Sequence, residues 1–137
     1  MSATQFLLDV FRARSSETAI IWRGESYSYS SILDWVQHWK EVLAREEIGA
    51  GRVVIFEAEF SPNSVALLMA LIDASCIIVP LTKSVRDKKT EFIEVAGGEV
   101  LLTLDQEDRI SVEKLGEESG HAVYDTLRAA GHPGLVL

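Results

Sequence analysis

The sequence has 137 residues, which is enough for one globular domain with its own hydrophobic core. Its 21 acidic residues against 13 Lys and Arg give a formal net charge of −8, which argues against nucleic-acid binding and a polybasic membrane anchor. Hydrophobic residues make up 47% of the chain, as in folded rather than disordered domains. The single cysteine excludes an internal disulfide. Since no signal peptide or membrane-length apolar run is recognisable, we expect a cytoplasmic protein without a membrane span.

The first residues predict a short helix followed by a β-hairpin. Apolar residues at helical spacing indicate a helix over residues 5–14, with Thr4 as its N-cap. Two short strands are predicted at 19–22 and 26–29, and a tight turn at Gly24-Glu25 joins them.

A longer amphipathic helix is predicted after the hairpin. Ser31 and Asp34 have the spacing of a capping box, so we expect this helix to begin at the serine pair 30–31. Gly49 or Gly51 would end it by supplying the left-handed residue after the last turn. Spacings of three and four predict one buried face, formed by Ile32, Trp35, Val36, Trp39, Val42 and Leu43.

The centre of the chain has the pattern of a buried strand, a buried helix and a second buried strand. Residues 52–56 are a strand rich in β-branched residues, and residues 76–81 are a continuous apolar run, as expected in the middle of a parallel sheet. Ser61 is placed as an N-cap and Pro62 at the first helical position, where its missing N–H costs nothing. The helix that follows, over 63–74, is apolar almost all round and should be buried on several sides.

The pattern continues with another helix and strand. Residues 87–96 predict a helix that Gly97-Gly98 ends, and residues 99–104 predict a third strand. The order β-α-β-α-β predicts right-handed crossovers. The fold class is therefore α/β, with three layers: a mostly parallel sheet and flanking helices.

The last thirty residues carry a weaker signal. Residues 109–115 are either a short strand or an extended loop, and residues 121–130 predict a helix. The apolar run at 135–137 resembles the beginning of a strand, so we expect the chain to be truncated. Three helical residues are expected to face inward, namely Val123, Leu127 and Ala130.

Residues that could form a metal or nucleophilic site are few. His38, His121 and His132 stand far apart, and Cys76 has no partner at Cys-x-x-Cys spacing, so we expect no metal site. Cys76 opens an apolar strand, which favours a buried structural thiol over a nucleophile. The sequence also contains neither a Gly-x-Gly-x-x-Gly motif nor a P-loop motif.

Three clusters allow a functional interpretation beside a structural one. Glu57 and Glu59 follow the first central strand and could hold Mg²⁺, as in a phospho-acceptor receiver domain, or form a solvated loop edge. The tryptophans could line a pocket or pack in the core; they are Trp22, Trp35 and Trp39. A basic cluster could meet an anion such as a CoA phosphate or simply be a solvated helix start; it comprises Lys83, Arg86, Lys88 and Lys89.

Four segments carry a family resemblance through their order and spacing: 27–33 (YSYSSIL), 48–55 (IGAGRVVI), 61–71 (SPNSVALLMAL) and 76–81 (CIIVPL). Together they resemble the N-terminal part of the adenylate-forming (AMP-binding) superfamily, which includes acyl-CoA synthetases, luciferases and nonribosomal adenylation domains. Residues 99–105 also resemble the strand ending in Thr-Asp that follows in many members. The resemblance covers about residues 5–105 of a single domain spanning 1–137.

The sequence departs from the superfamily pattern at several positions. Arg52 stands where an Asp is usual, and 74–76 lack the usual Lys-Ala-Gly-Ala turn. Lys83-Ser84 replaces the Pro-Arg of some CoA-using members. Residues 106–137 are interpreted as a connection whose final strand, 134–137, leads toward the superfamily's phosphate-binding loop.

The resemblance implies a ligase that activates a small carboxylic acid with ATP and Mg²⁺ as acyl-AMP and transfers it to a thiol such as CoA. The superfamily's phosphate loop, nucleotide-binding residues and catalytic lysine have no counterpart within these 137 residues. We therefore assign no catalytic, cofactor-binding or metal-binding residue, and expect the chain alone to be inactive. Its expected partner is the remainder of the ligase, and exposed apolar surface would favour self-association. The alternative is a stand-alone, non-catalytic binding module derived from this subdomain.

Overall fold

The structure, a computed structural model, describes residues 4–116 and 120–137. No helix in these two ranges is long and apolar enough to cross a membrane. The elements in chain order are α1 (Gln5–Ala13), β1 (Thr18–Trp22), β2 (Glu25–Ser28), α2 (Tyr29–Arg45), β3 (Val53–Glu57), α3 (Pro62–Asp73), β4 (Ile77–Leu81), a 3-10 segment (Lys83–Lys88), α4 (Lys89–Ala96), β5 (Val100–Leu104), β6 (Ile110–Lys114), α5 (Ala122–Ala130) and β7 (Gly134–Leu135).

The main sheet has the strand order β6-β5-β3-β4-β7. Strands β5, β3, β4 and β7 are parallel, while β6 pairs antiparallel with β5. Strand β4 follows β3 along the chain and pairs with one edge of β3. The chain then returns past β3, and β5 pairs with the other edge of β3. The order of the strands therefore reverses between β3 and β5, which makes this the topological switch point of the sheet. The hairpin β1-β2 forms a separate antiparallel pair.

Helices cover both faces of the sheet, as the sequence predicts for a three-layer α/β fold. The residues of β3 alternate between the two faces: Val54 and Phe56 join a core with α1, α2 and α3, and Val53 and Ile55 join a core with α4 and α5. All four side chains are buried. Such burial on both faces explains why the strand is a continuous β-branched and aromatic run.

The predicted beginning of α3 is confirmed. The Ser61 hydroxyl accepts a hydrogen bond from the Ser64 backbone N–H at 3.1 Å, and Pro62 occupies the first helical position. Four α3 residues are fully buried, namely Ala66, Leu67, Ala70 and Leu71. The helix therefore lies between the sheet and α2, and its sequence is apolar almost all round for that reason.

The predicted ends of α2 are wrong. The helix begins at Tyr29, and the capping side chain is that of Ser28, which accepts from the Ser31 N–H at 3.2 Å. At the other end neither predicted glycine supplies the left-handed residue. Glu47 does so, with φ of 58°, and the Ile48 N–H closes the last turn on the carbonyl of Leu43 at 2.9 Å.

Two predictions near the N-terminus are also corrected in detail. Thr4 precedes α1 as expected but makes no capping hydrogen bond; its hydroxyl instead donates to Asp73 at the end of α3, at 2.8 Å. The hairpin turn lies at Arg23-Gly24 and not at Gly24-Glu25. Arg23 and Gly24 both have positive φ, which matches the twist of a two-residue hairpin.

In the C-terminal region the structure decides between strand and loop for residues 109–115 and corrects the predicted buried face of the last helix. Residues Ile110–Lys114 form strand β6 and not a loop. In α5 the inward face is offset from the predicted one, because Tyr124 is buried while Val123 and Ala130 are exposed. The Tyr124 hydroxyl donates to the Ala96 carbonyl at 2.6 Å, so a polar contact to α4 fixes the rotation of α5. Leu127 packs inward as predicted.

Candidate functional site

A cleft of about 350 Å³ opens at the carboxyl edge of the sheet, beside the switch point between β3 and β5. Its walls come from the hairpin, from α2, from the loop between β3 and α3 and from the turn between β5 and β6. We call it the aromatic cleft because Trp22, Tyr27 and Trp35 line it. In open α/β sheets, ligands bind outside the carboxyl ends of strands at such a point.

The aromatic side chains of the cleft are held by regular elements. Tyr27 on β2 and Trp35 on α2 lie with ring centroids 5.7 Å apart. The guanidinium carbon of Arg23 stands over the Trp22 ring, 5.2 Å from its centroid. Trp39, by contrast, is buried in the core, where its indole N–H donates to the Asn63 side-chain oxygen. The structure thus brings two of the three tryptophans into a pocket and one into the core.

The charged groups of the aromatic cleft are predominantly acidic. Glu25, Glu59 and Asp108 line it together with the single guanidinium of Arg23. Asp108 was not among the candidate residues predicted from the sequence, since the turn after β5 meets the loop after β3 only through the order of the strands. Asp108 has φ of 59°, and the aspartate's known tolerance of the left-handed region was the one available signal of a tight turn there.

The beginning of α3 also lines the cleft but offers few free donors to an anion. Pro62 has no N–H, the Ser64 N–H is bound by the Ser61 hydroxyl, and the Val65 N–H is bound by the Ser61 carbonyl. The positive end of the helix dipole is therefore largely satisfied internally. The cleft favours cations over anions.

Glu57 and Glu59 do not form the carboxylate pair that a magnesium site would need. Glu57 is buried and forms an ion pair with Lys89 at 2.8 Å, whereas Glu59 is exposed and lines the aromatic cleft. Among the residues that the structure describes, no group of three or more His, Cys, Asp or Glu could hold a metal ion. The receiver-domain interpretation therefore has no support in the geometry.

The basic cluster is divided by the structure. Lys89 is committed to Glu57, and Lys88 is exposed at the end of the 3-10 segment. The side chains of Lys83 and Arg86 lie outside the described part of the chain. The cluster consequently supplies no described anion site.

Cys76 is a buried structural thiol, as the sequence predicts. Burial raises its pKa to about 12, against a smaller lowering by the Arg52 charge. A thiol with such a pKa is not a nucleophile at neutral pH. Two histidines make structural contacts. His121 caps α5 by accepting a hydrogen bond from the Val123 N–H at 3.2 Å, and the exposed ring of His38 packs edge-on against Trp39.

A second, larger concavity of about 810 Å³ lies between α4 and α5, on the face of the sheet that these two helices cover. We call it the apolar groove. Val95 and Val123 at its rim are 81% and 59% exposed, and the edge strand β7 runs along it. Its other apolar lining includes Val79, Leu81, Phe92 and Val136. Exposed apolar surface of this kind marks an interaction face.

Comparison with known proteins gives a structural match and no sequence match. No protein-family profile matches the sequence, and no curated protein sequence does. The N-terminal subdomain of Klebsiella oxytoca NpsA superimposes with a TM-score of 0.71 over 100% of this chain and 38% of that one, at 19% identity. The chain has the fold of a part of the N-terminal subdomain of adenylation enzymes. This agrees with the superfamily resemblance in its four sequence segments.

Two further structures give the same result for this adenylation-type fold. An artificially fused NpsA-ThdA adenylation–PCP di-domain matches with a TM-score of 0.70 over 99% of this chain and 23% of that one, at 17% identity. VinN, solved in complex with L-aspartate, matches with a TM-score of 0.69 over 79% of this chain and 28% of that one, at 16% identity. The chain spans less than two fifths of the length of each of these proteins.

One buried ionic cluster accounts for a departure from the superfamily pattern. Arg52, which stands where an Asp is usual, lies with its Nε 3.3 Å from a carboxylate oxygen of Glu99. Arg128 on α5 contacts the other oxygen at 2.9 Å. Glu99 is only 2% exposed. The cluster lies at the amino ends of β3 and β5, opposite the cleft, and it joins α5 to the sheet.

Proposed function

We propose that the chain is the N-terminal subdomain of a cytoplasmic acid–thiol ligase. The ligase would activate a small carboxylic acid with ATP and Mg²⁺ as acyl-AMP and transfer the acyl group to a thiol such as CoA. The observation that carries the proposal is the superposition of essentially the whole chain on a part of adenylation structures, one of them the NpsA N-terminal subdomain. One of these, the NpsA N-terminal subdomain, is solved in complex with 3-hydroxybenzoyl-AMSN.

The 137 residues by themselves do not fit Mg-ATP. A triphosphate needs cations or a cradle of backbone N–H groups, and the aromatic cleft presents three carboxylates against one guanidinium. The apolar groove is lined mainly by apolar side chains, and its described lining residues include no cation cluster for a triphosphate. In the part of the chain that the structure describes, no group of three or more His, Cys, Asp or Glu side chains could hold a metal ion. Adenylation therefore requires residues beyond these 137, and the role of this part of the ligase is that of a scaffold.

The apolar groove gives the remainder of the ligase a surface on which to pack. Strand β7 is at the edge of the described sheet and pairs only with β4 there, so a further strand can extend the sheet at this edge. The apolar lining beside it would be covered in the same step. In the isolated chain the same groove should promote self-association.

Three measurements test the proposal. The coding DNA downstream of the Leu137 codon is expected to continue in frame into a Ser/Thr/Gly-rich loop ending in Lys, and the protein of that longer frame should catalyse acid-dependent ATP–pyrophosphate exchange. The 137-residue chain should show no saturable rise in thermal midpoint with Mg-ATP. A saturable rise would contradict the assignment of the nucleotide site to the rest of the protein.

The same experiments distinguish the alternative function, a stand-alone binding module. A stop codon directly after Leu137, together with a monodisperse chain that does not enhance ANS fluorescence, would establish that alternative and overturn the ligase proposal. Binding of ANS or formation of oligomers by the isolated chain is the result expected of a subdomain whose groove is uncovered.

A further inference from the structure

We propose that the aromatic cleft binds a small organic cation: an ammonium or guanidinium group attached to an apolar body. The proposal concerns the carboxyl edge of the sheet and is independent of the ligase function, which depends on residues beyond these 137. It rests on the position of the cleft, the chemistry of its walls and its size.

The position of the cleft is that of a ligand site. It is bounded by the loop after β3 and the turn after β5, the two strands between which the strand order reverses. The two chain segments diverge there because β3 continues into α3 and then β4 on one side, whereas β5 turns into the antiparallel strand β6 on the other. This divergence leaves a crevice that no main-chain segment can fill. The hairpin and α2 close its outer side and supply the aromatic rings.

The chemistry of the walls selects a cation. The faces of indole and phenol rings are electron-rich and attract ammonium or guanidinium groups within about 6 Å. The chain itself provides an example, since Arg23 stands over Trp22 at 5.2 Å. The surrounding carboxylates of Glu25, Glu59 and Asp108 add attraction for a cation and repel an anion. Because Arg23 is exposed, an incoming cation can displace its guanidinium from the ring.

The size of the cleft favours a free small molecule over a protein partner. Its volume of about 350 Å³ is at the low end of the range for small-molecule sites, which is about 300–1,000 Å³. Trp35 and Pro62 lie on the long helices α2 and α3, which pack against each other, so this wall is preorganised. A preorganised wall limits the entropy lost on binding.

Titration with benzyltrimethylammonium, benzyl alcohol and benzoate tests the inference. Binding is followed by tryptophan fluorescence and by calorimetry. The cation should bind saturably below about 10 mM, while the alcohol and the anion bind at least about tenfold more weakly. Saturable binding of all three compounds with similar affinity would mean that the cleft is a nonspecific apolar pocket, which contradicts the proposal. No binding of the cation would overturn the proposal outright.

Variants identify the cleft as the site. Trp22→Leu should abolish binding, and Asp108→Asn should weaken it by about threefold to tenfold. The matched control Glu94→Gln changes an exposed carboxylate on α4 and should leave the affinity unchanged. Urea unfolding of each variant verifies that it is folded. Equal weakening by Glu94→Gln and Asp108→Asn would mean that only the net charge of the protein attracts the ligand.

Arg23 gives the sharpest test because its removal should increase affinity. Arg23→Ala vacates the face of Trp22 and should tighten binding of the cation by about threefold or more. Arg12→Ala removes the same charge from α1, away from the cleft, and should have no effect. Unchanged or weaker binding by Arg23→Ala contradicts the proposal. A further titration uses N-acetylarginine methylamide, which mimics an arginine residue of a protein partner. Tighter binding of this mimic than of benzyltrimethylammonium would assign the cleft to a protein partner instead.

Discussion

Glu99 should be one of the residues at which even a substitution that keeps the size of the side chain strongly destabilises the fold. One carboxylate oxygen lies 3.3 Å from Arg52 Nε, and the other accepts from Arg128 at 2.9 Å and from the Val53 backbone N–H at 3.2 Å. Its side chain is 2% exposed, so water cannot replace these partners. The contacts join β3, β5 and α5 at one point.

The expected magnitude follows from what each substitution leaves behind. Removal of one partner of a buried ion pair typically costs about 3–5 kcal/mol. The cost here should be at the low end, because Arg52 is 34% exposed and Arg128 retains Asp125 and the Gly51 carbonyl. We expect a loss of about 3 kcal/mol for Glu99→Ala. Glu99→Gln keeps the size and an acceptor but removes the charge, and should cost about 2 kcal/mol.

Urea unfolding followed by the fluorescence of buried Trp39 measures the free energy of unfolding. The control Glu107→Gln removes a carboxylate from an exposed pair with Arg109 and should change stability by less than about 0.5 kcal/mol. A double-mutant cycle of Glu99→Gln with Arg128→Met should give a coupling of about 1–3 kcal/mol. If Glu99→Gln is as stable as the control, the reasoning about this cluster is refuted.

Three other predictions concern stability and use the same urea assay. The pKa of Cys76 is about 12 when folded and 9.0 as a free thiol, so the unfolded chain loses the proton first. Stability should fall by about 1.4 kcal/mol per pH unit between these values, and Cys76→Ala should remove that slope; equal slopes would contradict it. Gly98→Ala places Cβ 2.6 Å from Ile55 and should cost about 1–3 kcal/mol, whereas Gly49→Ala meets open space; equal costs would refute the clash. Ser61→Ala should cost about 1 kcal/mol and Ser61→Asp much less; equal losses would contradict capping.

Two features that depend on a few neighbouring residues were predicted correctly from the sequence. The Ser61-Pro62 beginning of α3 and the end of α4 at Gly97, with φ of 67°, are both as predicted. A cap and a left-handed glycine are chosen by hydrogen bonds and sterics within one turn. Local information is then sufficient.

Where a backbone group is satisfied by a distant segment, the sequence misled. Helix α2 begins at Tyr29 because the N–H groups of Tyr29 and Ser30 donate to the carbonyls of Glu17 and Ser15, at 3.1 and 2.9 Å. These acceptors belong to the segment before the hairpin. The face of α5 is fixed in the same way by the Tyr124 hydrogen bond to Ala96. Neither contact has a local signature.

The sequence by itself determined the α/β class, the parallel core strands and the superfamily resemblance, because burial on both faces of a sheet requires unbroken apolar runs and because turn chemistry is local. Only the tertiary structure decided the aromatic cleft and the Glu99 cluster. Asp108 is far along the chain from Trp22 and Trp35, and it meets them because β5 returns past β3. Strand order depends on the packing of whole helices against the sheet, and no short pattern of residues specifies it.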